Sequence, residues 1–272
     1  MTTTAQTPAL DAPHPLDDAL VDTYRAEGHV VVPGLATAAE VTAYRPVISA
    51  ATMRYTTEKR ALADRDTYGR AFLQVTNLWR RDPEVARFVL ARRFAGVAAR
   101  LLGVERVRLY HDQALYKEAG GGRTPWHQDS LYWPFDTDLT VTMWMPLVDV
   151  TPETGGLEFA DGSHTSRALS DVAISDAADE HFDRVIAARG FRVTGTGPMV
   201  AGDASFHAGW TVHRALPNRG AAVREVMTVI WVADGVPVAE PRNAHQAADL
   251  ACWLPGHTPG DPVDGEFNPL LP

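Results

Sequence analysis

The sequence predicts a mainly β fold with helices packed against it. Three observations support this prediction. Residues 15–103 carry the apolar spacing and capping residues of helices, residues 104–235 contain many short runs with the two-residue period of strands, and Gly- and Pro-containing turns separate these runs. Many short strands joined by tight turns are typical of one antiparallel barrel or sandwich.

The chain is predicted to begin with a disordered tail and then a helix. Residues 1–14 are polar and rich in Thr and Pro, which favours a loose tail. Leu16, Leu20 and Tyr24 then fall on one helical face, and Gly28 is well placed to end that helix.

A short strand and further helices follow. His29–Val32 is a β-branched run, and Thr37 with Glu40 forms a capping box for the next helix. Pro46 should kink or end that helix, because proline lacks the backbone N–H that a helix interior needs. Residues 82–103 begin with an Asp-Pro pair and show helical apolar spacing.

After Gly103 the period changes from helical to two residues. Strand-like runs cover residues 107–117, 139–150, 157–160, 199–206, 211–215 and 224–233. A polar helical insertion covers residues 175–189. We expect one domain over residues 15–272, with a helical section to residue 103, a β core to residue 235 and an irregular C-terminal tail.

Acidic residues outnumber basic ones, with 34 Asp and Glu against 25 Lys and Arg and a formal net charge of −9. Negative charge repels phosphate backbones and anionic lipid, and the strongest apolar run is far shorter than a membrane span. We therefore expect a small-molecule partner, no nucleic acid and no membrane. Cys252 is the only cysteine, which excludes an internal disulfide and fits a cytoplasmic protein.

His127 and Asp129 are the first candidates for chemistry. Alternate residues of a strand lie on the same face, so this pair can present an imidazole and a carboxylate to one ion. His213 is the candidate third ligand, with His164 and His207 as alternatives. Two histidines and one carboxylate form the facial triad of non-haem Fe(II) oxygenases, which leaves the opposite coordination positions open.

Arg224 supports this interpretation. It follows His213 by eleven residues and precedes the apolar run Val226–Ala233, whereas neither His164 nor His207 has an arginine at that spacing. A guanidinium that faces an apolar interior is costly unless an anion meets it, and its fork matches a carboxylate. The alternatives are a salt bridge to a protein carboxylate or an outward-facing arginine.

Several ordered motifs carry a resemblance to a known family. In chain order they are His127-Gln128-Asp129, Met143-Trp144-Met145-Pro146, Gly155-Gly156-Leu157-Glu158-Phe159, Gly162-Ser163-His164, Gly202-Asp203, His213, Pro217-Asn218 and Arg224. In this order they closely resemble the phytanoyl-CoA dioxygenase family of Fe(II)- and 2-oxoglutarate-dependent oxygenases. The resemblance covers residues 16–234.

The resemblance implies a double-stranded β-helix, the jelly-roll core that cupins also have. It implies Fe(II) held by His127, Asp129 and His213, with 2-oxoglutarate as the chelating co-substrate and O₂ as the oxidant. It further implies that Arg224 anchors the distal carboxylate of 2-oxoglutarate.

Gln113, Lys117 and Trp144 match positions that line the co-substrate pocket in members of that family. Gln113 and Lys117 also share a face of the predicted strand, and Lys117 is one of two lysines in the chain. The alternatives are a surface position for Lys117 at the strand exit and core packing for Trp144.

The implied activity is oxidation of a C–H bond of a small organic substrate, and we expect a role in secondary metabolism. Hydroxylation is the expected outcome, with cyclisation, epimerisation or desaturation as alternatives. Aromatic residues near the metal segment indicate an apolar or ring-bearing substrate, and the glycines at 120–122 indicate a flexible loop. A Zn-dependent β-barrel hydrolase or isomerase and a non-catalytic small-molecule-binding barrel are the other classes.

Overall fold

The computed structural model describes residues 7–272 and confirms a mainly β fold with packed helices. The helices are α1 (Asp18–Glu27), α2 (Ala38–Tyr55), α3 (Thr67–Ala71), α4 (Pro83–Val89), α5 (Arg92–Leu102), α6 (Asp176–Arg189) and α7 (Ala244–Trp253). The strands are β1 (His29–Val32), β2 (Leu73–Thr76), β3 (Val107–Tyr116), β4 (Thr124–His127), β5 (Thr140–Pro146), β6 (Leu157–Ala160), β7 (Val193–Gly195), β8 (Ala204–Ala208), β9 (His213–Ala215), β10 (Val226–Ala233) and β11 (Leu270–Leu271). Within these residues no helix is both long and apolar enough to cross a membrane.

Two antiparallel sheets form the centre of the molecule. The major sheet has the order β1-β8-β5-β10-β3-β11, with β2 also paired to β3, and the minor sheet has the order β4-β9-β6-β7. Trp144 and Val226 of the major sheet share an apolar cluster with Leu157, Phe159 and Ala215 of the minor sheet. The two sheets face each other as the layers of a double-stranded β-helix.

The N-terminal helices pack against the major sheet. Tyr44 of α2, Phe88 of α4 and Phe94 of α5 belong to the same buried cluster as Trp231 of β10. Burial of each such side chain stabilises the fold by about 1.5–3 kcal/mol. The helical section and the sheet therefore share one apolar core.

The predicted caps and the break between the fourth and fifth helices agree with the structure. Gly28 ends α1 with a φ of 82°, and Thr37 and Glu40 form the expected capping box. Asp82 caps α4, and Leu90 separates α4 from α5.

Pro46 does not end α2, so the prediction of a helix end at this residue is wrong. The helix continues to Tyr55 with Pro46 in its interior. Val41 and Tyr44 before the proline, and Ile48 after it, are all buried. Their burial offsets the loss of one backbone hydrogen bond.

The predicted disordered tail at residues 1–14 is wrong from Thr7 onward. Leu10 is 2% exposed and belongs to the main core. The Tyr44 hydroxyl donates to the Pro8 carbonyl at 2.6 Å, and the Arg87 guanidinium donates to the Thr7 carbonyl at 2.8 Å. The remainder of that prediction, residues 1–6, lies outside the described residues.

The C-terminal segment is also more regular than predicted. It contains α7, and β11 adds to the major sheet beside β3. Leu254 and Val263 are buried with Trp133 and Ile230 in a second apolar cluster. The prediction of an irregular tail is wrong because these apolar residues pack across one end of the major sheet.

Candidate active site

His127 and His213 lie side by side on the minor sheet. His127 is the last residue of β4, His213 is the first of β9, and the two are partners in the antiparallel pairing. Their ring centroids are 4.1 Å apart, and both residues are buried. Strand pairing thus joins two histidines that are far apart in sequence.

Asp129 reaches the same point from a turn. It begins the 3₁₀ turn Asp129–Leu131, which follows β4 after the single residue Gln128, so the expected strand alternation does not apply to it. Its Oδ1 lies 3.6 Å from Nε2 of His127 and 3.8 Å from Nε2 of His213. Donor atoms of the three residues all lie within 4.8 Å of one another, so the group can hold a metal ion.

The tautomers of the two histidines are fixed by backbone carbonyls. Nδ1 of His127 donates to the Pro125 carbonyl at 2.8 Å, and Nδ1 of His213 donates to the Thr211 carbonyl at 3.0 Å. The lone pair of each Nε2 is therefore free for a metal. Burial, together with a neighbouring histidine in each case, lowers the pKa of both imidazoles to about 4, so both are neutral at pH 7.

The second oxygen of Asp129 is held by two further residues. Oδ2 accepts hydrogen bonds from the Thr142 hydroxyl at 2.9 Å and from Nε2 of His207 at 3.3 Å. Burial opposes ionisation of Asp129, but His213, His207 and His127 together hold the pKa of its carboxyl well below its usual range. His207, an alternative third ligand from the sequence, thus contacts the carboxylate, and no motif in the sequence pointed to Thr142.

A cavity of about 420 Å³ lies between the two sheets beside these residues. Two rows of paired residues on the major sheet line it, namely His111, Ile230, Thr142 and His207 in one row and Gln113, Thr228 and Trp144 in the other. His164, the remaining alternative ligand, does not line the cavity, and its Nε2 bonds the Arg25 carbonyl at 3.2 Å.

Arg224 lies two residues before the start of β10. It lines the cavity and is only 1% exposed. Its Nη1 donates to the Gly155 carbonyl at 2.5 Å, while Nε and Nη2 are buried without a partner. Its Cζ lies 5.1 Å from the centre of the Trp144 ring. Burial lowers the pKa of Arg224 to about 9. A buried guanidinium with unsatisfied N–H groups beside a cavity is suited to bind an anion.

Lys117 is the backbone partner of Arg224 and is fully buried. Its Nζ donates to the Gly122 carbonyl. Burial and the neighbouring Arg224 lower the pKa of Lys117 to about 6. It does not line the cavity, whereas Gln113 and Trp144 do. The structure therefore brings two buried basic side chains together, with Arg224 at the cavity wall and Lys117 next to it.

The Gly120–Gly122 segment, interpreted above as a flexible loop, is held by backbone hydrogen bonds. The Gly120 N–H donates to the Asn218 carbonyl at 3.0 Å, and the Gly122 N–H donates to the Arg70 carbonyl at 2.8 Å. The Asn218 N–H donates in turn to the Gly121 carbonyl at 3.0 Å. These bonds favour a fixed turn.

The donor set fits a non-haem iron ion. Two neutral imidazoles and one carboxylate form the ligand set of facial-triad sites. The cavity beside them gives a chelating molecule access, and Arg224 offers unsatisfied donors to a carboxylate on the same wall. The arrangement therefore accommodates a metal ion and an anionic chelator together.

Comparison with known families agrees with this geometry. The family model described as phytanoyl-CoA dioxygenase (PhyH) matches residues 24–226. The match includes all three candidate metal ligands and Arg224.

Solved structures with similar folds were also found. The non-haem α-ketoglutarate-dependent carbocyclase SnoK from nogalamycin biosynthesis is 28% identical, with a TM-score of 0.75 over 96% of this chain and 100% of that one. The epimerase SnoN, in complex with Fe³⁺, α-ketoglutarate and nogalamycin RO, is 26% identical, with a TM-score of 0.77 over 94% and 98%. EctD from S. alaskensis, at 18% identity and a TM-score of 0.64 over 89% of each chain, shares the fold.

Proposed function

Because the chain belongs to the phytanoyl-CoA dioxygenase family, we propose that His127, Asp129 and His213 hold the ferrous ion of a 2-oxoglutarate-dependent dioxygenase. The chain is an oxidoreductase that acts on small organic molecules. The observation that carries the residue assignment is the convergence of two Nε2 atoms and one Oδ1 atom at the wall of a cavity.

The second part of the proposal concerns the co-substrate. Arg224 binds the distal carboxylate of 2-oxoglutarate through its unsatisfied Nε and Nη2 groups, and the adjacent Lys117 takes up a proton and adds positive charge when that carboxylate binds. Trp144 packs against the guanidinium and fixes its plane. Gln113 lines the same cavity and accepts a hydrogen bond from Gln74 at 3.0 Å.

The mechanism assigns a task to each group of residues. The ferrous ion and 2-oxoglutarate supply, when bound, the activation of O₂ that C–H oxidation requires. The carbonyl-bound histidines present Nε2 without rearrangement, and Thr142 and His207 hold Oδ2 of Asp129, which leaves its Oδ1 available to a metal ion. The aromatic residues around the cavity orient an apolar substrate and keep water out.

The proposal takes residues 15–272 as one oxygenase domain, which is supported by the core that the helices share with the sheet. Hydroxylation of an apolar or ring-bearing substrate in secondary metabolism is the proposed outcome. The similarity to a carbocyclase and an epimerase supports cyclisation and epimerisation as alternatives. The single cysteine supports a cytoplasmic location.

A substrate screen scored by succinate release tests this function. Purified enzyme with Fe(II), 2-oxoglutarate and O₂ is incubated with a panel of polycyclic and other ring-bearing compounds. We expect succinate release that requires all three components and that Asp129→Ala abolishes, while Asp171→Ala at an exposed position leaves it intact.

The mass of the product separates the outcomes. Hydroxylation adds one oxygen atom, cyclisation or desaturation removes two hydrogen atoms, and epimerisation leaves the mass unchanged. Hydrolysis of a panel compound in the presence of Zn(II), without succinate, would overturn the proposal in favour of a Zn-dependent hydrolase.

A further inference from the structure

We propose, on the basis of the oxygenase function above, that Asp249 recognises the substrate and selects an apolar ring system that carries a protonated amine. Asp249 lies on α7, outside the segment that the family model covers. It lines the same cavity as His127, Asp129 and His213. The proposal therefore concerns the substrate end of that cavity.

The polar neighbours of Asp249 carry no positive charge. Its Oδ2 accepts a hydrogen bond from the Tyr110 hydroxyl at 2.8 Å, and the Trp253 side chain is its other polar neighbour. In the part of the chain that the structure describes, no Arg, Lys or His forms an ion pair with it. Burial raises the pKa of its carboxyl to about 6, so it is ionised at neutral pH without a countercharge.

The charges of the cavity wall determine which substrate fits best. Asp129 and Asp249 are the two carboxylates among the lining residues, and Arg224 is the one permanently charged cation. Asp129 is assigned to the metal and Arg224 to the co-substrate. Burial lowers the pKa of His111 to about 4, so this residue is neutral as well. A cationic substrate group would therefore compensate Asp249, whereas an anionic one would meet repulsion.

The walls near Asp249 suit a ring system with an attached amine. Tyr68, Phe72, Tyr132, Trp133 and Trp253 line the cavity. Aromatic faces bind apolar rings by burial and attract cations through their π electrons. The wall thus combines the two features that a ring-bearing ammonium compound requires.

A purely structural role for Asp249 is the rival explanation. Its bond to Tyr110 joins α7 to β3, so the carboxylate could serve only to hold the helix. Two variants separate the roles. Asp249→Asn removes the charge but keeps an acceptor for the Tyr110 hydroxyl, and Tyr110→Phe removes the bond but keeps the charge.

The test uses enzyme loaded anaerobically with Fe(II) and 2-oxoglutarate, so that binding is measured without turnover. The probes are 1-naphthylmethylamine, 1-naphthalenemethanol and 1-naphthoate, which share a ring system and differ in charge, and binding is followed by calorimetry at pH 7.5. We expect the amine to bind at least about tenfold more tightly than the alcohol, and the carboxylate to bind most weakly. Asp249→Asn should abolish this preference, and Tyr110→Phe should retain it.

Equal binding of amine and alcohol by the wild-type enzyme would overturn the inference, as would a preference that survives in Asp249→Asn. Binding of 2-oxoglutarate to the iron enzyme, measured first in the same samples, separates this failure from that of the proposed function. If 2-oxoglutarate binds and the amine preference is absent, the inference about Asp249 alone is wrong.

Discussion

At the scale of single residues, both candidate ligand histidines donate a hydrogen bond to a carbonyl two residues earlier in the chain. Pro125 serves His127 and Thr211 serves His213, at 2.8 and 3.0 Å. The tautomer that binds a metal is thus set by the protein before any ion arrives. The sequence predicted the three ligands from residue type and order, but these carbonyl bonds depend on local backbone geometry that no side-chain pattern encodes.

His207 is expected to position Asp129 without binding the metal. His207→Phe removes the hydrogen bond to Oδ2 while filling the space, so the carboxylate gains freedom and Fe(II) affinity should fall by about 10- to 100-fold. Anaerobic equilibrium dialysis measures this affinity directly. His207→Gln keeps an N–H donor and should recover part of the loss. Unchanged Fe(II) binding in His207→Phe would contradict the positioning role.

Arg224 should act through the geometry of its guanidinium and not only through its charge. Arg224→Lys keeps a cation but loses the fork, so 2-oxoglutarate should bind about tenfold or more weakly while Fe(II) binding is unchanged. Calorimetry with anaerobic iron enzyme measures both. Arg219→Lys, at an exposed position nearby, is the control. Loss of iron in Arg224→Lys would show that the residue supports the metal site instead.

Lys117 should couple the binding of 2-oxoglutarate to proton uptake. Its pKa of about 6 in the ligand-free protein means that it is mostly neutral at pH 7.5. A nearby carboxylate raises that pKa, so binding takes up a proton, and affinity falls as the pH rises above about 6. Calorimetry in two buffers of different ionisation enthalpy at pH 7.5 should detect uptake in the wild type and none in Lys117→Met. Uptake that is absent from the wild type, or that persists in Lys117→Met, would refute this coupling.

At the scale of elements, regular patterns were predictable and long-range additions were not. The period of two located β3 and β10, and the capping residues located α1, α2 and α4. The sequence did not indicate α7 or β11, because α7 has only two large apolar side chains, Leu250 and Trp253, and β11 is only two residues long. Tertiary packing stabilises α7 and β11, and it also allows α2 to continue through Pro46.

Gly155 lies in the turn before β6, and its carbonyl accepts a hydrogen bond from the Arg224 guanidinium. Its φ is 86°, and a Cβ there would lie 2.3 Å from the Leu216 carbonyl oxygen. Gly155→Ala should therefore lower the free energy of unfolding by more than about 2 kcal/mol and weaken 2-oxoglutarate binding, because the Gly155 carbonyl accepts from Arg224. Urea denaturation and calorimetry measure the two effects.

Gly197 supplies a matched control for this prediction. Its φ is 67° but a Cβ would have open space around it. Gly197→Ala should lower the free energy of unfolding by only about 1 kcal/mol, which is the cost of the backbone conformation. This variant should bind 2-oxoglutarate normally. Equal losses in the two variants would show that close packing at Gly155 is unimportant.

At the scale of the whole molecule, the active site is a product of two sheets that face each other. The minor sheet supplies both histidines through the pairing of β4 with β9, and the major sheet supplies most of the cavity floor. α3, β2 and α7 complete the wall from distant parts of the sequence. The three candidate metal ligands could be named from the sequence because a known motif order carries them. The part of the cavity wall that α3, β2 and α7 form could not be predicted, since its residues become neighbours only in the folded chain.

The most direct measurement is anaerobic absorption spectroscopy of the purified protein. Fe(II) is added first and 2-oxoglutarate second, to the wild type, to Asp129→Ala and to the control Asp171→Ala. We expect a visible charge-transfer band that requires both additions, appears in the wild type and the control, and is absent from Asp129→Ala. A wild-type protein that shows no such band, or an Asp129→Ala variant that retains it, would contradict the assignment of this site.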